Sequence, residues 1–209
     1  MKALLIKDLC IIKNTQRTML ALFILYGFVC NIFDQPLLCV GFPVIMCVML
    51  SPSSIAYDEY DNGFPFLFSL PFSRREYVAE KYALSAVLSF GIWVITVAFN
   101  VVYSVVVQKH PITSDNLFVY ISVLLLAVLP MCITLPLRFK FGSENGRILM
   151  PLCTGGCYAA LFSVSSAFAD TTLPVLHNGV IWFLSFFVVA LLCWLSVRIS
   201  IFIMEHKEF

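Results

Sequence analysis

Charge is scarce in this chain. Only 12% of its 209 residues are Asp, Glu, Lys or Arg, and 61% are hydrophobic. Soluble domains carry about 25% charged residues and about 45–50% apolar ones. The mean hydropathy is +0.95. A water-soluble fold cannot hide that much apolar surface, so the solvent is lipid. The net charge of +1 argues against a nucleic-acid partner. The apolar runs contain no Asp, Glu, Lys or His at mid-depth. Ion-coupled carriers keep such groups at the membrane centre to bind the coupling ion. Intramembrane hydrolases need a catalytic His, Glu, Asp or activated Ser, and no such constellation stands here. Also missing is a glycine-rich loop ending in Lys-Ser/Thr, so the chain is not expected to hydrolyse ATP alone. Nor is there a disulfide framework. Of the eight cysteines only Cys10 lies outside an apolar run. The others (Cys30, Cys39, Cys47, Cys132, Cys153, Cys157, Cys193) read as small buried hydrophobes. Cys153 and Cys157 share a helix face, but no His or carboxylate lies near them in sequence to complete a metal site. The N-terminus is basic, yet no A-x-A-like site follows the first apolar run, so no cleavable signal is expected.

Apolar residues fill six runs, at 18–33, 37–56, 83–107, 117–137, 148–168 and 180–204. Each approaches or exceeds the ~17–25 residues that span a bilayer. The expectation is an all-α polytopic membrane protein, one transmembrane domain over 1–209 with six helices. Six spans put both termini on one side. That side carries Lys2, Lys7, Lys13, Arg17, Arg74, Arg75, Lys81, Arg138, Lys140, Arg147, Arg198 and Lys207, and the other has Lys109 alone. The asymmetry places the termini in the cytoplasm of a multi-pass plasma-membrane protein. The polar segments 57–82 and 138–147 are then cytoplasmic. His110 and His177 fall in outer loops and read as solvated. Arg198, in the last turns of the sixth span, can snorkel to the inner headgroups. Residues 1–17 form an N-terminal interfacial helix, with Leu5, Leu9 and Ile12 on one face and Lys7 roughly opposite. An ordinary basic flank of the first span is the other reading.

Polarity inside the spans is weak and patterned. Ser85, Ser89, Trp93, Thr96, Asn100 and Tyr103 recur at helical steps on the third span. Thr154, Tyr158 and Ser165 do roughly the same on the fifth, beside Gly155 and Gly156. One explanation is helix packing through small residues and side-chain hydrogen bonds. The other is a translocation path for an amphipathic solute, walled by Ser89, Trp93, Thr96, Asn100, Tyr103, Thr154 and Tyr158. Pro43, Pro52, Pro130, Pro136 and Pro151 each remove a backbone donor within a span. A kink at Pro52 would aim the emerging chain sideways, along the membrane surface; a tolerated kink with no mechanical role is the alternative.

The chain is organised around 57–82, YDEYDNGFPFLFSLPFSRREYVAEKY. An acidic cluster (Asp58, Glu59, Asp61) is followed by an Asn62-Gly63 turn signal and an apolar patch of Phe64, Phe66, Leu67 and Phe68. The acids are expected to face water or a basic partner, and the apolar patch to enter the interface or a partner's cleft. Leu70-Pro71 ends this element. Ser73-Arg74-Arg75-Glu76 has the form of a capping box, so a new helix starts near Arg74 and runs into the third span. Such a helix can transmit a push from the polar segment into the membrane.

These residues resemble the short ABC-2 type permeases. The family pattern is an acidic pair, a Gly or Trp, an apolar step, then S-L-P-[IF]-S-R-[KR]-E-x-[IV]-x-x-K-Y. Here it stands as Asp58-Glu59, Gly63, and Ser69-Leu70-Pro71-Phe72-Ser73-Arg74-Arg75-Glu76-Tyr77-Val78-Ala79-Glu80-Lys81-Tyr82. Phe72 stands where an aliphatic residue is commoner, and the loop 169–179 leaves no room for a sizeable outer domain. The nearest resemblance is to the permeases of phenol-soluble-modulin and related peptide-toxin exporters of Gram-positive bacteria. It implies a type V, ABCG-like exporter fold, with two permeases forming the path, as a homodimer or heterodimer. ATP and Mg would be bound by a separate ATP-binding-cassette ATPase subunit and no cofactor by this chain. The coupling segment would comprise Asp58, Glu59, Asp61, Gly63, Phe64, Phe66, Leu67, Phe68, Leu70, Pro71, Ser73, Arg74, Arg75 and Glu76. Its helix, around 59–68, would sit in a groove of the ATPase. The cargo implied is an amphipathic peptide or hydrophobic solute. A membrane component of an antimicrobial-peptide immunity or sensing complex, and a solute-capturing subunit of an importer, are the alternative roles.

Overall fold

A computed structural model describes residues 4–10, 26, 36–60, 63–108, 114–169 and 178–207. The first apolar run (apart from Tyr26), Asp61, Asn62, Lys109, His110 and His177 lie outside the described residues. The side chain of Tyr158 does too.

Among the described residues every regular element is a helix. They are α1 (4–10), α2 (Pro36–Val48), α3 (Leu50–Glu59), α4 (Gly63–Leu67), α5 (Arg74–Tyr103), α6 (Ser114–Ala169) and α7 (Asn178–Glu205). A π-helical turn, Ser104–Gln108, closes α5. Four stretches are long and apolar enough to cross a membrane: Val40–Glu59, Arg74–Val106, Tyr120–Gly142 and Phe186–Glu205.

Helix continues beyond the end of the second apolar run at Ala56, as far as Glu59. Its proline signal is expressed as a one-residue interruption at Met49, between α2 and α3. Pro52 has no N–H to donate to the carbonyl four residues earlier, at Val48. The Ser53 hydroxyl donates at 2.9 Å to the neighbouring Met49 carbonyl, which also accepts the Ser53 N–H.

The polar stretch 138–147 is not an open loop. Helix continues on both sides of a single hinge, Gly142, at φ 72° and ψ −168°. Glycine alone takes that conformation without strain. A Cβ on Gly146 would lie 3.1 Å from Nη1 of Arg138. On one straight helix those positions would be about 12 Å apart along the axis, so the chain turns back at Gly142.

The core is built from four-residue ladders. Val40, Val44 and Val48 of α2 face Val123, Ala127, Met131, Leu135 and Phe139 of α6, and all are buried. Tyr77 and Val78 of α5, Ile55 of α3 and Met204 of α7 close the same cluster. The outer faces of α5 and α7 stay apolar and exposed, with Phe90, Ile95 and Phe99 on one and Phe187, Trp194 and Phe202 on the other. Lipid is the solvent that tolerates such faces.

Candidate functional site

The polar segment is held at both ends by local chemistry. The Ser73 hydroxyl accepts from the Glu76 N–H at 3.2 Å, and the Ser73 N–H donates to Glu76 Oε2 at 2.9 Å. This is the reciprocal capping box that the four residues predict. Arg74 follows and reaches the end of α7. Its Nη1 donates to the carbonyls of Met204, Glu205 and Lys207 at 2.9, 3.0 and 2.8 Å. The Met204 and Glu205 carbonyls are acceptors that the end of α7 leaves unpaired, and Lys207 lies just beyond it. Arg75 Nε bonds Glu205 Oε1 at 2.5 Å on the surface.

Between α3 and α5 the short helix α4 is pinned by aromatic rings. Phe64 and Leu67 are buried. Phe64 meets Tyr77 edge-on at 6.2 Å, Phe68 meets Tyr77 at 5.6 Å, and Tyr77 meets Phe139 of α6 at 6.2 Å. Phe72 lies 6.0 Å from Phe68, and the Arg74 guanidinium lies 5.7 Å from the Phe68 ring. Phe66 points the other way and is 75% exposed. Tyr57, Tyr60 and Leu70 are exposed beside it in sequence, Tyr60 by 74%. Pro71 is also exposed. The apolar patch therefore divides into an anchor of Phe64, Leu67 and Phe68 and a free edge led by Phe66.

The acidic cluster divides in the same way. Asp58 was expected to face water or a partner, and instead it is buried. It accepts from Lys7, from the Tyr77 hydroxyl at 2.9 Å and from Lys81 at 2.9 Å. Lys81, with no solvent exposure, also bonds Asp8 and the Ser54 hydroxyl, the latter at 2.6 Å. Ser54 donates to Asp8 Oδ2 at 2.8 Å, and Lys7 lies 3.5 Å from Asp8 Oδ1. Glu80 is buried beside them, 3.7 Å from Lys81 Nζ. Two lysines and three carboxylates thus tie α1, α3 and α5 together. A charge taken out of water is tolerated when paired and hydrogen-bonded, as Asp58 and Lys81 are here. Glu80 has only the longer contact to Lys81 and, among the described residues, accepts no hydrogen bond.

The knot also reorients α1. Its buried positions are Leu4 and Asp8, one turn apart, while Ile6, Leu9 and Cys10 are exposed. Leu9, on the apolar face expected to lie in the membrane interface, is exposed, and Leu5 is half-buried. Asp8 takes a buried place because Lys81 and Ser54 await it.

Glu59 packs against the α6 hinge: a Cβ on Gly142 would fall against its carboxylate. Gly63 is required by crowding too, since a Cβ there would stand 2.5 Å from the Asp58 carbonyl oxygen. Asp61 lies outside the described residues.

The polar stripe of α5 faces α6 and α7. Ser89 is buried, and its hydroxyl turns back to the Ala86 carbonyl at 3.0 Å. Trp93 Nε1 donates to the Tyr120 carbonyl at 2.8 Å, and the Tyr120 hydroxyl donates to Asn100 Oδ1 at 2.6 Å. Thr96 bonds the Ile92 carbonyl of its own helix at 2.9 Å. Tyr103 is half-buried. Tyr82 shares hydrogen bonds with Ser196 and Ser200 of α7 at 2.6 and 2.9 Å. Thr154, in the second half of α6, bonds the Met150 carbonyl at 2.8 Å.

Sequence reading missed Lys7, Asp8, Ser54, Tyr77 and Lys81 as one unit. A signal was present: Asp8 is the first acidic residue, alone in an otherwise basic and apolar N-terminal stretch. An isolated acid in such a stretch needs a cation.

The fold and site define a polytopic α-helical membrane protein with a structured polar segment between two spans. The family described as ABC-2 family transporter protein matches residues 3–205. The chain belongs to that family, and is a membrane-spanning permease component of an ABC transporter. No curated protein and no solved structure matches the chain significantly. In this family the permease is a transport subunit and not itself catalytic, which implies an ABC ATPase as partner.

Proposed function

We propose that the chain is one of two permeases in a six-span, type V exporter, driven by a separate ATPase docked on its polar segment. The observation that carries this is the division of that segment. Phe64, Leu67, Phe68 and Asp58 fasten it to α5, α6 and α1, while Phe66 and Tyr60 remain outside any apolar span and exposed. A protruding aromatic edge on a rigid base is what a partner's cleft can grip, and aromatic anchors dominate binding energy at interfaces. In this reading Glu59, Gly63, Leu70, Pro71, Ser73, Arg74, Arg75 and Glu76 shape and fix the coupling segment. ATP and Mg are bound by the ATPase and no cofactor by this chain.

The ATPase acts by differential contact with the inward-open and outward-open states. Its push enters α5 at the capped end, where Arg74 also holds the end of α7. The proposed wall of the path is the polar face formed by Ser89, Trp93, Thr96, Asn100 and Tyr103, with Thr154 and Tyr158 on the second half of α6. Weak polarity beside aromatic surface suits an amphipathic peptide or hydrophobic solute, moved outward as in the phenol-soluble-modulin exporters that the motif resembles. Both termini and the coupling segment are on the cytoplasmic side of the plasma membrane, as the distribution of Lys and Arg supports.

The test is reconstitution of the chain with its ABC ATPase in inverted vesicles. ATP-dependent accumulation of a labelled amphipathic helical peptide is the expected result. A stable complex that hydrolyses ATP and moves no such peptide, in either vesicle orientation, would overturn the export reading.

A further inference from the structure

The start of α5 and the last turns of α7 leave an open groove of about 470 Å³ between them. It is lined by Arg75, Arg198, Ile199, Ile201, Phe202 and Glu205. Arg75 stands at the mouth, bonded to Glu205. Arg198 is seven positions before Glu205, about 10 Å deeper along the helix, within the span Phe186–Glu205. Its guanidinium lies 5.2 Å from the centre of the Trp194 ring, and among the described residues no carboxylate pairs with it. The surface around it is apolar and open, with Ile199 51% and Phe202 63% exposed.

A guanidinium at that depth, facing out of the protein, is costly against bare hydrocarbon. It can snorkel, but the groove also brings Arg75 to the same opening. Two arginines against one glutamate leave a single net positive charge. The guanidinium fork matches phosphate oxygens two at a time. The exposed Trp194, Ile199 and Phe202 offer the surface along which acyl chains lie.

We propose that this groove binds one anionic phospholipid, its phosphodiester bridging Arg198 and Arg75 and its acyl chains packed on Trp194, Ile199 and Phe202. Glu205 orients Arg75 and restricts the site to a singly charged headgroup. The lipid would brace α7 against α5 at the end where Arg74 ties the two helices. The site shares Arg75 with the end of the coupling segment, while Arg198, Ile199 and Phe202 lie outside that segment.

The experiment uses the full chain, delipidated in mild detergent and titrated with phosphatidylglycerol, phosphatidylcholine or inorganic phosphate. Bound lipid is read by native mass spectrometry and the unfolding midpoint by heating. The wild type is expected to retain one phosphatidylglycerol about tenfold more tightly than phosphatidylcholine and to gain stability from it. Arg198→Gln should abolish that preference while keeping the wild-type midpoint in phosphatidylcholine. Arg198→Lys should retain part of it, and Glu205→Gln should strengthen it. Lys140→Gln, an exposed cation elsewhere, should change nothing. Undiminished preference in Arg198→Gln would overturn the proposal. So would an equal stabilisation by inorganic phosphate alone, which would make this a soluble-anion site. A shift from dimer to monomer in Arg198→Gln without lipid selectivity would instead assign the groove to a second copy of the chain, and the lipid site would be wrong.

Discussion

Asp8 and Lys81 meet carboxylate to ammonium in a site without solvent exposure, although 73 positions separate them in the chain. The contact fastens α1 to the segment of α5 that precedes its apolar run. Asp58 joins from α3, so the knot sits directly behind the candidate coupling helix. Phe64 of α4 packs on Tyr77 of α5, and the Tyr77 hydroxyl donates to Asp58 of the knot.

Lys81→Met is expected to cost about 3–5 kcal/mol of stability, because Asp8 and Asp58 would be left buried with one cation fewer. Thermal unfolding of the purified chain in detergent measures it. Lys81→Met combined with Asp8→Asn should lose less than the two single losses together, since the residues share one network. Additive losses would show that the pair is not coupled.

Gly142→Ala is expected to destabilise for two separable reasons. The backbone conformation costs an L residue about 1–3 kcal/mol, and the new Cβ meets the Glu59 carboxylate. Glu59→Ala in the same chain should recover the second part and leave the first. A denaturation series on the single and double variants checks this. Full recovery would mean that the backbone conformation is not strained by a side chain.

Ser73→Ala should remove the cap of α5 and lower stability by about 1 kcal/mol. The loss belongs to the start of α5, so amide exchange should rise there first and not in α6. Uniform exchange along the chain would argue against a local cap.

The parts of the fold that sequence made visible are those encoded locally. The Ser73–Glu76 capping box needs four neighbouring residues and was found as read. Apolar length alone marked the stretches that became α2, α5 and α7. The contacts of Asp58 were hidden for the opposite reason. Read beside Glu59 and Asp61 it is one acid of a solvated cluster, and only the fold brings Lys7, Tyr77 and Lys81 to it. The hinge at Gly142 was hidden by composition. The polar stretch 138–147 separates two apolar runs in sequence, yet its residues wind into helix on both sides of Gly142, the glycine at which the chain reverses. Phe64 and Phe66 look alike in sequence, and only packing against Tyr77 separates anchor from free edge.

Truncation of each phenylalanine in turn tests that separation most directly. The complex of this chain with its ABC ATPase would be compared as wild type, Phe66→Ala and Phe64→Ala, for unfolding midpoint and for ATP hydrolysis. Phe64→Ala should cost about 3–5 kcal/mol of stability, as buried phenylalanines do. Phe66→Ala should change stability by less than about 0.5 kcal/mol and weaken the ATPase contact by more than about 1 kcal/mol, with loss of permease-stimulated hydrolysis. In a Cys10→Ser background, Phe66→Cys should cross-link to a cysteine placed in the ATPase cleft. A stable complex whose hydrolysis and cross-linking ignore position 66 would contradict the account and move the coupling contact elsewhere.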